Sequence, residues 1–335
     1  MIYLHGMGHF HPENIITNHF IAELDIGSDE EWIMERLGIM SRFTSLSLDY
    51  IRDTRNRDPR CAWEASLYSR QEMGGKAAAM ALDRAGIKPS DIGLVISGTS
   101  TPEHTIPAEA ALIAAGLAIE APCFDLNSAC STFLVQLSVL NSMKPEKTPP
   151  YILIVNPESY THVVDYSDRN SAPLFGDGVS AAVVSLSVPS GKVFTRIACD
   201  SNPLEWNKVR IPRYGHFTQQ GKAVQGFAIR TATRSLNRLQ EMEQENVTPL
   251  TFIGHQANFL MLDHVRERCR IPLDNHWYNV VDHGNTGGSS APSVLSQNWE
   301  RLVQGDRVAM VVVGSGLTWG EALLTVKDKN RRMLS

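Results

Sequence analysis

The sequence predicts an α/β protein made of two duplicated halves, each with a mostly parallel sheet, layered with helices between and outside them. Three observations lead there. Helical segments alternate along the chain with short apolar runs of strand type. A helix over 74–86 precedes an apolar strand over 92–99, and a helix over 224–239 precedes another over 250–255. A second pair, a helix from Thr132 before the strand 151–155 and a helix over 289–302 before the strand 307–313, recurs in the same order. The offset is roughly 150 residues, which indicates internal duplication. The expected division is an N-terminal half, 1–187, and a C-terminal half, 188–335, with the active site where they meet.

At 335 residues the chain can bury a sizeable core, and 43% hydrophobic and 20% charged residues are ordinary for a globular protein. A net charge of −5, without a long run of lysine and arginine, argues against a nucleic-acid face. The five cysteines are scattered and form no CxxC pair, which argues against a disulfide framework or a metal site and for a reducing compartment. No apolar run approaches the ~20 residues of a membrane span, and the first residues lack a signal-peptide layout. A soluble cytoplasmic protein is expected, with no membrane or nucleic-acid partner.

Taken in order, residues 1–10 read as a strand and 18–24 as a short helix. Ser28 with Glu31 three residues later reads as a capping box opening a second helix. On that helix Trp32 and Arg36 share a face; they could sandwich a nucleotide base and meet its phosphates, or simply close a surface helix. Residues 44–70 are dense in arginine and aspartate and read as a solvated surface insertion. A helix ended by Gly86, a buried strand from Ile92, a loop with His104 and Pro107, and a helix over 108–117 follow. The glycines of Phe175-Gly-Asp-Gly178 read as a tight turn between core elements.

The stretch Asp125–Leu134 organises the rest. An apolar run over 121–126 leads through small residues into a helical pattern from Thr132, which puts Cys130 at a helix N-terminus. Unpaired N–H groups and the positive end of the helix favour a thiolate there. A cysteine that merely packs is the alternative. Three loops of the second half supply what a nucleophile needs: His255 at a strand end, Asn285 in His283-Gly-Asn285-Thr-Gly-Gly288, and Gly314-Ser315 through Gly320 after an apolar strand.

These residues carry a resemblance. Asp29–Ile33 with Arg36, Asp125–Phe133, Asp168-Arg169, Phe175–Gly178, His255–Asn258, His283–Thr286 and Gly314–Gly320 resemble, in order and spacing, the β-ketoacyl-acyl-carrier-protein synthase III family of thiolase-fold condensing enzymes. The resemblance implies a thiolase-like layered αβαβα fold. It implies that Cys130 takes an acyl group from an acyl-CoA, and that a malonyl thioester on an acyl carrier protein then loses carbon dioxide and attacks the acyl thioester. Backbone N–H groups of Cys130 and Ser315 would face the first oxyanion, and side chains of His255 and Asn285 the second. Trp32, Arg36 and Arg169 would hold the nucleotide end of coenzyme A, which is a substrate; no bound cofactor is implied. A homodimer is expected on the same grounds.

Departures from the family pattern sharpen the expectation. Gly226 and Leu260 stand where basic residues for the carrier are expected, with Lys222 as partial compensation. Ile106, before Pro107, replaces a bulky aromatic that shortens the acyl pocket across the dimer, so an acyl group longer than acetyl is expected. A specialised pathway would account for these departures. The alternatives are acyl transfer to a hydroxyl, amine or carrier thiol without decarboxylation, and a non-catalytic acyl-binding subunit.

Overall fold

The computed structural model describes residues 1–242 and 249–327. In chain order the strands are β1 (Ile2–Phe10), β2 (Asn14–Thr17), β3 (Ser41–Thr44), β4 (Ile92–Ser97), β5 (Cys123–Asp125), β6 (Tyr151–Ser159) and β7 (Asp177–Ser185). They continue with β8 (Lys192–Ser201), β9 (Val209–Arg210), β10 (Thr218–Gln219), β11 (Thr251–Gly254), β12 (Arg307–Gly314) and β13 (Thr318–Val326). The helices of the first half are α1 (Asn18–Glu23), α2 (Glu30–Leu37), α3 (Leu48–Thr54), α4 (Cys61–Glu64), α5 (Arg70–Ala85), α6 (Glu109–Gly116) and α7 (Thr132–Asn141). Those of the second are α8 (Gly221–Met242), α9 (Phe259–Arg268), α10 (Val280–His283) and α11 (Ser290–Gln297). No helix among the described residues is long and apolar enough to cross a membrane.

Nine strands form one hydrogen-bonded sheet in the order β11-β12-β13-β8-β1-β7-β6-β4-β5. The seam is the antiparallel pair β1–β8. Outward from it the halves repeat one pattern: β1 antiparallel to β7, β7 antiparallel to β6, β6 parallel to β4; and β8 antiparallel to β13, β13 antiparallel to β12, β12 parallel to β11. Even the outermost strand has its counterpart. Where β5 runs parallel to β4, a single parallel bridge joins Phe252 to His276. The duplicated α/β halves are therefore present, but their sheets are not mostly parallel. Among the described residues the strand pairs β4–β5, β4–β6 and β11–β12 alone are parallel, and β12 must run antiparallel to β13 because residues 315–317 are too short for a crossover.

Side-chain alternation sorts the strands into layers. On β6, Ile152 and Ile154 face a core shared with α7 and α11, while Leu153 and Val155 face α5 and α6. On β12, Val308, Met310 and Val312 join the same central core, and Ala309, Val311 and Val313 meet α8 and α9. Helices thus lie outside each half-sheet and between them, the αβαβα arrangement.

Three local expectations change. Asp29, not Ser28, caps α2, its carboxylate accepting from the Trp32 N–H at 2.7 Å; with Asp29 available, the first turn starts one residue later. Residues 44–70 are not simply a solvated insertion. Exposed pairs such as Asp58–Arg60 occur there, but Ile51 and Ala62 are buried, and Asn56 is fully buried, donating its amide to the carbonyls of His162 and Val164 at 2.9 Å each. The segment clamps the stretch that follows β6. The Phe175–Gly178 glycines make no tight turn either; β7 starts at Asp177 within them. A Cβ on Gly176 would lie 2.2 Å from the His283 carbonyl oxygen, so glycine is what allows the second half's loop to come this close.

Candidate active site

Cys130 sits in a 3-10 turn, 129–131, between β5 and α7. Ala129 takes a left-handed φ of 48°, which turns the chain sharply and projects the next side chain. The turn is held locally: Asn127 Oδ1 accepts from the Ala129 N–H at 2.9 Å, and Thr132 Oγ1 accepts from the Ser128 N–H at 2.8 Å. Asp125 anchors the approach by accepting from the first N–H groups of α6, those of Glu109 and Ala110. From the other half, Gly314 comes so close that a Cβ there would lie 2.9 Å from Ser131 N and 3.2 Å from Cys130 N. Ser315 follows directly, its hydroxyl tied to the Val209 carbonyl at 2.8 Å, and lines the same cleft as Cys130.

His255 follows β11 directly. Its neighbours in the motif are structural: the buried Gln256 accepts from Asn279 and Val280 N–H groups, and Asn258 caps α9 through the Met261 N–H at 2.9 Å. Behind the imidazole lies a very small apolar space lined by Ala228, Phe252, Met261, Leu262 and Val313 among others. His255 Nδ1 is buried without a hydrogen-bond partner among the described residues. Burial pulls the imidazole down to about 4, so it is neutral at physiological pH and can donate a hydrogen bond without carrying charge.

Asn285 is placed by backbone pairing between the halves: its N–H donates to the Leu174 carbonyl at 2.9 Å and its carbonyl accepts from Gly176 N–H at 3.1 Å. Its Oδ1 accepts from Gly287 N–H at 2.9 Å, which leaves the amide hydrogens as the group to offer outward.

All four candidate catalytic residues, Cys130, His255, Asn285 and Ser315, line one cleft of about 800 Å³. Trp32, Arg36 and Lys222 line it as well. Arg169 stands one step back, its guanidinium carbon 4.3 Å from the Trp32 ring centroid. The cation against Trp32 is therefore Arg169, not Arg36 four residues along the helix. The sequence reading missed Arg210, Ser100 and Tyr160 of the lining, and the buried carboxyl of Glu158 behind it. Glu158 accepts from Thr99 Oγ1 and the N–H groups of Ser100 and Gly288, and burial raises it to about 7. A glutamate ending the apolar run of β6 was the available signal; nothing marked Tyr160.

The thiolate expectation for Cys130 is corrected by its surroundings. Burial, with the nearby Glu158 charge, pushes the thiol up to about 12. The resting pair is a neutral thiol and a neutral imidazole, because desolvation here outweighs the partial charge of the helix end.

Comparison with known proteins follows the same lines. The profile of 3-oxoacyl-(acyl-carrier-protein) synthase III matches residues 124–203, and that of its C-terminal region matches residues 241–326. The β-ketoacyl-(acyl-carrier-protein) synthase III of Sphingopyxis alaskensis is 30% identical over 335 residues, covering 96% of this chain and 98% of that one. The chain belongs to this family. It is accordingly an enzyme, an acyltransferase of the condensing type with the thiolase-like fold. The crystal structure of the synthase III from Aquifex aeolicus VF5 superposes with a TM-score of 0.85 at 26% identity, covering 97% and 100% of the two chains. The priming β-ketosynthase of the R1128 polyketide pathway superposes at 0.82, also at 26% identity, covering 98% and 97%.

Proposed function

We propose that the enzyme condenses an acyl-CoA with a malonyl thioester carried by an acyl carrier protein, with Cys130 as the nucleophile. The observation that carries this reading is the convergence of Cys130, His255 and Asn285, from three loops and both halves, on one cleft. Cys130 sulfur bonds to the acyl carbon, the bond to coenzyme A sulfur breaks, and the thiol proton ends on coenzyme A. The N–H groups of Cys130 and Ser315 receive the oxyanion. The malonyl group then loses carbon dioxide, and the electrons of that bond build an enolate whose oxygen faces His255 and Asn285. Its carbon attacks the acyl carbonyl, Cys130 leaves, and a solvent proton restores the thiol. Non-decarboxylative transfer is the less favoured reading, because it has no use for a second pair of donors.

Trp32, backed by Arg169, suits an adenine ring, and Arg36 and Lys222 suit phosphates. The carrier partner is supported by α8, where Lys222, Arg230 and Arg234 are exposed at four- and eight-residue intervals. Gly226 leaves a gap in that row, and an Arg230 guanidinium nitrogen lies 3.3 Å from where its Cβ would be. Ile106 is 84% exposed, as a residue reaching into a partner protomer's pocket should be, which keeps the expectation of a homodimer and of an acyl group longer than acetyl. The boundary between halves at 187/188 falls between β7 and β8, and a cytoplasmic setting suits the substrates.

Intact-protein mass after mixing with acyl-CoAs of increasing length tests the reading. An adduct on the wild type and none on Cys130→Ala is expected, strongest above acetyl. No adduct from any of them removes acyl-CoA as donor.

A further inference from the structure

Arg42 lies on β3, does not line the cleft, and is fully buried. Its guanidinium nitrogens all go to neutral acceptors. Nε, at 2.8 Å, and Nη2 both donate to the Pro173 carbonyl, and Nη1 donates to Asn18 Oδ1 at 2.5 Å. Burial pulls the group down to about 9, so it still carries its charge at physiological pH. A buried carbonyl needs a donor, but a neutral side chain could supply one without the desolvation cost of a guanidinium. Where the contacts fall gives the arginine a reason.

Asn285 is held in a short parallel pairing between the halves, in which Leu174 accepts from its N–H and Gly176 donates to its carbonyl. Arg42 touches both sides of that pairing, each time one residue ahead of it. On one side its fork holds Pro173, which precedes Leu174. On the other its stem lies against Gly284, which precedes Asn285. A Cβ on Gly284 would come 2.8 Å from Arg42 Cγ and 3.0 Å from the Leu174 carbonyl oxygen. The residues before Arg42 grip α10, which leads into Asn285. The Met40 N–H donates to the Val281 carbonyl at 2.7 Å, and the Ser41 hydroxyl donates to the Asp282 carbonyl at 2.8 Å.

We infer that Arg42 is a positioning residue for the decarboxylating half-reaction: its fork on Pro173 and its stem against Gly284 set where Asn285 presents its amide to the enolate oxygen. The Cys130 turn is held by other contacts, those of Asn127, Thr132 and Gly314, so acylation does not depend on Arg42. The inference rests on the reading of Asn285 as a donor to that oxygen.

The test is a double-mutant cycle read on the two half-reactions separately. Arg42→Lys keeps the charge but cannot set two N–H groups on one carbonyl and a third on Asn18 in one plane. Arg42→Met removes the charge with the donors and is read should the lysine variant fail to fold. Each is made in the wild type and in Asn285→Ala. Acyl adducts are counted by intact mass, and carbon dioxide release from an added malonyl thioester is expressed per acylated molecule, so a misfolded fraction does not enter. Acylation at the wild-type rate is expected, with carbon dioxide release slowed about ten- to hundredfold, the loss lying in kcat and not in KM for the malonyl thioester. Added to Asn285→Ala, the Arg42 substitution should cost nothing further. An arginine that only supports the fold would slow both half-reactions together, or add its loss to that of Asn285→Ala. Either result overturns the inference, as does a wild-type rate of carbon dioxide release in Arg42→Lys. A wild-type rate in Asn285→Ala itself overturns the reading of Asn285 and the inference with it, which sets that failure apart from the others.

Discussion

The two halves of this molecule repeat a turn but not its chemistry. In the first half Ala129, with φ 48°, opens the 3-10 turn that leads into α7, and Cys130 follows. In the second, Gly287, with φ 58°, opens the matching turn into α11, and Gly288 stands where the cysteine stands. Each turn backs onto a strand end of the other half. Gly314, at the end of β12, presses on the Cys130 amide, and Glu158, near the end of β6, accepts from the Gly288 N–H at 3.1 Å. The lesson is that the fold needs the turn twice and the reaction needs the side chain once. The second turn has become a support: its bare backbone gives the Tyr160 ring its seat and accommodates the buried carboxyl.

Changing the turns should break that asymmetry. Gly287→Ala forces a Cβ into the Tyr160 ring at a left-handed φ, and overpacking of this kind costs about 1–3 kcal/mol or more. Thermal unfolding of Gly287→Ala should show a clear drop in midpoint. An unchanged midpoint would mean that the seat is looser than described. Cys130→Ala, at the corresponding turn, removes the proposed nucleophile yet should leave the unfolding free energy within about 2 kcal/mol of the wild type.

How much of this was legible in the sequence follows from what each element needed. The helix–strand repeat was readable because β4, β6, β11 and β12 are apolar runs beside recognisable helices. The antiparallel strands β8 and β13 were not, because β8 carries Lys192, Arg196 and Asp200 along a half-exposed strand, and β13 hides Glu321 between Arg196 and Arg238. Cys130, His255 and Asn285 stood out through the company they keep in short motifs. Glu158 and Tyr160 reach the cleft wall only because β6 runs four residues beyond Val155 and its continuation is clamped by Asn56, a register that no local pattern encodes.

A smaller and more distributed effect is expected from pH. Burial lowers His9, His255 and His276 to about 4, and lowers His11, His162 and His283 as well. Folded, these imidazoles resist protonation; unfolded, they titrate near 6.5. Their contribution is therefore present above pH ~6.5 and lost as the pH falls towards ~4. Glu158, raised to about 7, acts in the opposite sense over roughly the same interval, but it is outnumbered. Denaturant midpoints should fall between about pH 6.5 and about pH 4, and a midpoint that rises on acidification would contradict the buried neutral histidines.

The most direct test separates the two half-reactions. Wild type and His255→Ala are loaded with the same acyl-CoA, their adducts are compared by intact mass, and a malonyl thioester is then added while carbon dioxide and β-keto product are measured. Equal acyl adducts are expected, because Cys130 and its oxyanion site are untouched, with a loss on the order of 100- to 1000-fold in the decarboxylating step. Normal carbon dioxide release and product formation by His255→Ala would contradict it.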